Sequence, residues 1–164
     1  FSLTRDLHHV CEDHPVGAAM SRGDVDEQVW ADWLDALHWA HSVIDPEIDE
    51  NLRATEKLEQ DLDASSVEPR PNEAAMRFAR QLDHDFHLRE AAVYVLTGAH
   101  LMGGQVMKKK IGDRLPTHHL QLKDRKAMQA VWSPIRERVD IAEEARTVFR
   151  WLLAIMEEIQ AKDG

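Results

Sequence analysis

Three of the chain's seven glycines, Gly98, Gly103 and Gly104, fall inside Gly98-Ala99-His100-Leu101-Met102-Gly103-Gly104-Gln105, a stretch whose surroundings read as the interior of a long helix. Each glycine there costs about 1 kcal/mol relative to alanine. No proline or turn cluster follows to make this a natural end, and Lys108-Lys109-Lys110 continues the helical pattern. A helix that gives up three side chains at mid-length exposes bare backbone. Such a face admits a close neighbour, either a second helix or a flat ligand, or it marks a simple kink. The segment alone leaves these alternatives open.

The rest of the chain reads as helical. Proline and glycine are sparse and sit between segments, and no stretch alternates apolar and polar residues as a half-buried strand would. Leu3, Leu7 and Val10 recur at helical spacing up to Pro15, and a loop through Gly17 and Gly23 is expected to follow. Asp26 is placed to cap a helix whose apolar stripe is Val29, Trp30, Trp33, Leu34, Leu37, Ala40, His41 and Ile44. Pro46 then breaks or restarts it, and a third helix is expected from Pro46 to about Leu62 with Ile48, Leu52 and Leu58 inward. After a loop from Ala64 to Pro71, Asn72 caps a segment with Ala75, Phe78, Ala79, Leu82 and Phe86 inward. A second apolar run, Ala91 to Leu96, leads into the glycines. Gly112 to His119 reads as a connection, 122–130 as a short helix, and 134–161 as the last helix, with Val148, Leu152, Ile155 and Ile159 on its inner face.

At 164 residues, without repeat, low-complexity tract or linker, the expectation is one domain over 1–164. The formal charge of -10 argues against nucleic-acid binding. Cys11 is the sole cysteine, so no internal disulfide forms, which fits a reducing compartment. No apolar run is long enough to span a bilayer and no basic-then-apolar leader opens the chain, so a soluble, cytoplasmic protein without a membrane partner is expected.

Ten histidines in this length mark where to look for chemistry. His8 and Glu12 are four apart on one helix face, so the carboxylate can orient the imidazole, as the partner of a metal-binding histidine does; the bland alternative is a solvated surface pair. His38 and His41, His84 and His87, and Asp35 and His38 each lie three apart. That spacing echoes the di-iron bundles, but the paired Glu-x-x-His motifs of those sites are missing. Lys108-Lys109-Lys110 is either a solvated helix face or a docking patch for an acidic partner. Lys123, Arg125 and Lys126 form a second basic group.

Taken together, these segments resemble haem oxygenase. Thr4-Arg5-Asp6-Leu7-His8-His9-Val10-Cys11-Glu12 looks like that family's proximal helix, with a threonine four residues before the iron-ligating histidine and a glutamate four after it. Gly23 and Leu37 through Asn51 continue the likeness. Tyr94-Val95-Leu96-Thr97-Gly98-Ala99-His100-Leu101-Met102-Gly103-Gly104-Gln105 looks like its distal helix, and Glu143-Glu144-Ala145-Arg146-Thr147-Val148-Phe149 resembles its last one. Coverage is weak at 55–90 and 112–135.

The resemblance implies an all-α, single-domain bundle with a glycine-kinked distal helix. It implies haem as both cofactor and substrate, opened by dioxygen to biliverdin, carbon monoxide and ferrous iron. His8 would ligate the iron and Glu12 orient it. Gly98, Gly103 and Gly104 would bare the backbone toward the ring, Tyr94 would sit near the propionates, and His41 and Phe149 would line the pocket. The first basic propionate partner would fall at or before Phe1, leaving Lys123, Arg125 and Lys126 as candidates. Two positions depart from the family: His100 stands where many members have a distal aspartate, and His41 where many have a tyrosine. His100, with Gly103 and Gly104, is the expected catalytic group, delivering protons directly or through water. The chain carries neither a dinucleotide fingerprint nor a cysteine cluster, so electrons would come from a ferredoxin or flavoprotein reductase. Two alternatives are a non-catalytic haem carrier or sensor on the same fold and a non-haem iron oxidase.

Overall fold

A computed structural model describes residues 2–164. Among them are nine α-helices, five short 3-10 turns and no strand. The helices are α1 (Arg5–Asp13), α2 (Pro15–Arg22), α3 (Glu27–Ile44), α4 (Thr55–Ala64), α5 (Glu73–His84), α6 (Phe86–Leu101), α7 (Gly103–Ile111), α8 (Arg125–Arg136) and α9 (Ala142–Asp163). α9 packs on α1, α3, α5 and α6, α3 also packs on α4 and α5, and α6 on α7 and α8. One apolar core runs through the bundle, from Trp30, Leu34 and Ile44 of α3 to Val148, Ile155 and Ile159 of α9.

Capping explains most of the starts. Asp26 accepts from the Gln28 N–H at the head of α3, Asn72 from Ala75 at α5, Asp85 from Leu88 at α6 and Asp124 from Ala127 at α8. Asp85 starts a new helix rather than letting α5 run on. Phe86, expected on the inner face, is therefore 57% exposed. His84 and His87 end up on different helices.

Five further boundaries correct the sequence reading. The loop expected after Pro15 is α2, with Pro15 at its first turn, where a missing N–H costs nothing. Gly17 lies inside that helix because a Cβ there would stand 2.1 Å from the Cys11 carbonyl oxygen. The helix expected from Pro46 begins only at Thr55. Asp49 caps the Asn51 N–H and Asp45 takes the Ala54 and Thr55 N–H groups, so side chains compete with a continuing helix and leave 3-10 turns at Asp45–Glu47 and Glu50–Leu52. The short helix expected over 122–130 is α8, which Asp124 starts later and which runs through Pro134 to Arg136. The last helix begins at Ala142, not Pro134. Finally, the long helix through the glycines stops at Leu101 and restarts at Gly103, with Met102 outside the helical region at φ -107 and ψ -92.

Candidate functional site

α1 is the least embedded helix: none of Arg5–Asp13 is buried. It is held at its edges. The Arg146 guanidinium of α9 grips Asp6 by two parallel bonds of 2.7 and 3.0 Å, and the Cys11 thiol donates to the Phe149 carbonyl. Burial pushes that thiol up to about 11, so Cys11 serves as a packing group rather than a nucleophile. His8 stands on this helix with its side chain 54% exposed, its ring 5.8 Å from Phe149 and its Nε2 2.9 Å from Glu12 Oε1. The spacing thus makes the contact it predicts. In this rotamer Nδ1 is the nitrogen not engaged with Glu12. Neighbouring Val10 and Leu3 are exposed apolar residues.

The α6–α7 break carries the glycines. The Gln105 amide donates to the His100 and Leu120 carbonyls, both at 2.9 Å, and the Arg125 guanidinium donates to the Leu101 carbonyl. Side chains thereby satisfy the last carbonyls of α6, which lets the helix end inside the bundle. The glycines differ in what they face. A Cβ on Gly104 would stand 2.8 Å from both the Ala99 carbonyl oxygen and Leu120 Cδ2, one on Gly98 would meet the Trp132 indole at 3.1 Å, and one on Gly103 would meet nothing within 4 Å. Beside Gly103, Met102 and Val106 are half-exposed apolar side chains.

Behind the break lies a buried polar cluster. His41 Nε2 and His100 Nε2 are 3.2 Å apart with the rings stacked, and His41 Nδ1 is 2.9 Å from Asp45 Oδ1. His119 packs edge-on against His100 with ring centroids 5.5 Å apart. Asp61, fully buried on α4, accepts from the backbone N–H and the ring Nδ1 of both His118 and His119. Burial, followed by the charge of His41, His119 and Lys57, holds His100 well below its ordinary value. Burial also lowers His119, against the opposing pull of Asp61. Burial alone would raise both carboxyls, but hydrogen bonds from His41 and Thr55 bring Asp45 below the usual range, and those from His119 and His118 do the same for Asp61. The site therefore holds two buried carboxylates and four imidazoles, those of His41, His100 and His119 buried.

The other candidates fall elsewhere. His38 faces the surface and pairs with Glu59, and His87 pairs with Glu90. Tyr94 is buried in parallel stacking on Trp132, whose indole N–H donates to the Tyr94 carbonyl. Lys109 and Lys110 are exposed at the end of α7. Phe1 lies outside the described residues. Among the described residues no three His, Cys, Asp or Glu side chains are placed to hold a metal ion. Asp45, Asp61 and His119 are the residues the sequence reading missed. Asp45 follows His41 by four, the same signal that singles out His8 and Glu12, whereas Asp61 and His119 meet only through the fold.

Solved structures share this architecture along nearly the whole chain. Haem oxygenase-1 from the cyanobacterium Synechocystis, in complex with haem, matches with a TM-score of 0.85 at 18% identity, over 98% of this chain and 90% of that one. Haem oxygenase from Leptospira interrogans matches at 0.81 and 17%, over 96% of each. The chain has the haem oxygenase fold. Haem oxygenase-2 from Synechocystis, in complex with haem and NO, matches at 0.83 and 18% identity, over 98% of this chain and 83% of that one. No family model and no curated protein sequence matches the chain. Among the described residues no helix is long and apolar enough to cross a membrane.

The residues present fit a haem. α1 offers an exposed imidazole with a carboxylate partner, α7 offers Gly103 with open space where a Cβ would stand, and both helices carry unburied apolar side chains beside these groups.

Proposed function

We propose that this chain is a haem oxygenase, opening the haem ring to biliverdin, carbon monoxide and ferrous iron with dioxygen and electrons from a ferredoxin or flavoprotein reductase. The observation that carries the reading is the His8–Glu12 pair, standing on an unburied helix in a chain of this fold. His8 supplies the iron ligand through the ring nitrogen that Glu12 does not hold, and Glu12 fixes the tautomer and strengthens the imidazole as a donor. The bare backbone at Gly103 forms the opposing wall, Gly104 behind it letting α7 seat against Ala99 and Leu120, with Phe149 beside His8 and Tyr94 toward the propionate edge. Bound haem supplies the iron that activates dioxygen and the ring that is oxidised. His100 moves protons to that chemistry, and its held-down basicity keeps it neutral and ready to pass a proton rather than retain it. His41 takes the place of a distal hydroxyl by fixing His100 at Nε2.

Replacing His8 with alanine is expected to convert the ferric haem spectrum to that of a weakly ligated form, read by titrating haemin and following the Soret band. Glu12→Ala is expected to weaken haem binding by about tenfold or more. An unchanged spectrum in the His8 variant would place the iron ligand elsewhere.

The lysines at the end of α7 are the proposed dock for the electron donor. Reversing Lys108, Lys109 and Lys110 to glutamate is expected to slow reductase-driven turnover several-fold at low salt and leave haemin affinity unchanged, with the difference shrinking as salt is raised. Equal turnover at low salt removes the dock from this face.

A further inference from the structure

Hydrogen counting along Asp45, His41 and His100 shows a property that neither a helix cap nor a packed core requires. Asp45 Oδ2 accepts from the Ala54 N–H at 2.9 Å, the Thr55 N–H at 2.7 Å and the Thr55 hydroxyl at 2.5 Å, while Oδ1 faces His41 Nδ1. Those donors keep the carboxyl ionised, so the hydrogen between it and His41 rests on Nδ1. A single hydrogen then lies between the two Nε2 atoms, 3.2 Å apart. When His100 holds it, both rings are neutral and His100 Nδ1 is a bare acceptor. When the pair takes up one more proton, His41 becomes an imidazolium bonded to Asp45 and to His100, and the hydrogen of His100 sits on Nδ1 as a donor. The heavy atoms keep their places in both states.

We propose that Asp45 and His41 form a proton reservoir for His100, holding one proton on His41 and releasing it from His100 Nδ1. The transfer balances. The Nδ1 hydrogen of His100 leaves for the acceptor, the Nε2 hydrogen of His41 crosses to His100 Nε2, and both rings finish neutral; one proton from solvent, entering at His100 Nδ1, reloads the pair by the reverse path. The groups around the pair favour this arrangement. His100 has no bonded carboxylate and faces His41 from α3, His119 from the 118–120 turn and the charge of Lys57 from α4, so a stored proton settles on His41 beside Asp45. His119 is itself tied to Asp61 and faces His100 only through a ring contact. As the source of protons for haem opening, the reservoir rests on the function proposed above, with Asp45 and His41 as positioning residues acting through His100.

The test is a titration of the haem-free protein with nitrogen-15-labelled histidine, followed by NMR, in the wild type and in Asp45→Asn. The expected result is one shared midpoint: as His41 gains its second proton, His100 changes from the Nε2–H to the Nδ1–H tautomer. In Asp45→Asn that midpoint falls by about one pH unit or more, since a neighbouring carboxylate is worth that much to an imidazolium. A His100 that keeps one tautomer throughout the titration of His41 overturns the proposal, as does an unmoved midpoint in the variant. Should Asp45→Asn fail to fold, the wild-type tautomer change still decides. In the haem-loaded protein, Asp45→Asn is expected to shift the pH profile of turnover at unchanged haemin affinity. Absence of turnover in the wild type would sink the proposed function while leaving the haem-free titration to judge the reservoir.

Discussion

Replacing Asp61 with alanine is expected to cost about 3–5 kcal/mol of folding stability, the range for removing one member of a buried charged network. All four groups bonded to this carboxylate are donors, two backbone N–H and two ring N–H, and its side chain is fully buried. Alanine offers them no acceptor, and each buried donor left unpaired costs about 1–3 kcal/mol. Asparagine should fall between, because its single carbonyl can serve one side while its amide meets the other, where only an imidazole can change tautomer to accept. Urea unfolding measures this: the midpoint drops sharply in Asp61→Ala. Asp63→Ala, an exposed change two residues along the same helix, should stay within about 0.5 kcal/mol. Equal midpoints for the two variants would show that the cluster bears no load.

The same cluster sets the acid limb of stability. His100 and His119 are held below their ordinary 6.5 and Asp45 and Asp61 below 3.8, so on acidification the unfolded chain takes up protons first in both cases. Stability is full above pH 6.5, declines as the pH falls through and below that value, and declines again below 3.8. Asp61→Ala should flatten the lower of these windows.

The second large effect separates two adjacent glycines. Gly104→Ala is expected to destabilise the haem-free protein by about 1–3 kcal/mol, because the new methyl meets the Ala99 carbonyl oxygen at 2.8 Å and must push α6 and α7 apart. Leu120 Cδ2, at the same distance, is a flexible end and can yield; the backbone oxygen cannot. Gly103→Ala has nothing within 4 Å and should change haem-free stability by no more than about 0.5 kcal/mol. With haem the order changes. Gly103→Leu should fold normally and lose haemin affinity by tenfold or more, since about 1.4 kcal/mol of obstruction is already tenfold. Normal binding in that variant would remove Gly103 from the ring wall.

Much of this was legible because local signals are strong where helices begin. Asp26, Asn72 and the stripe of α3 announce themselves through capping chemistry and spacing, and His8 with Glu12 through its four-residue interval. Boundaries failed where side chains outcompeted the helix ladder, at Asp45 and Asp49, and where a glycine marked crossing helices rather than a loop, at Gly17. The buried cluster was half legible: His41 and Asp45 share a helix face, but nothing local links Asp61 to His118 and His119, 57 and 58 residues away. Nor could spacing show that His100 would be tied to His41 rather than left free, a contact across 59 residues.

The central claim is tested most directly by adding haemin to the purified protein and then supplying a reductant in air. The account predicts a saturable Soret band from one bound haem, followed by its loss and the rise of biliverdin absorption with release of carbon monoxide. No Soret band would contradict haem binding altogether, and a stable Soret band without biliverdin would make this fold a haem carrier rather than an oxygenase.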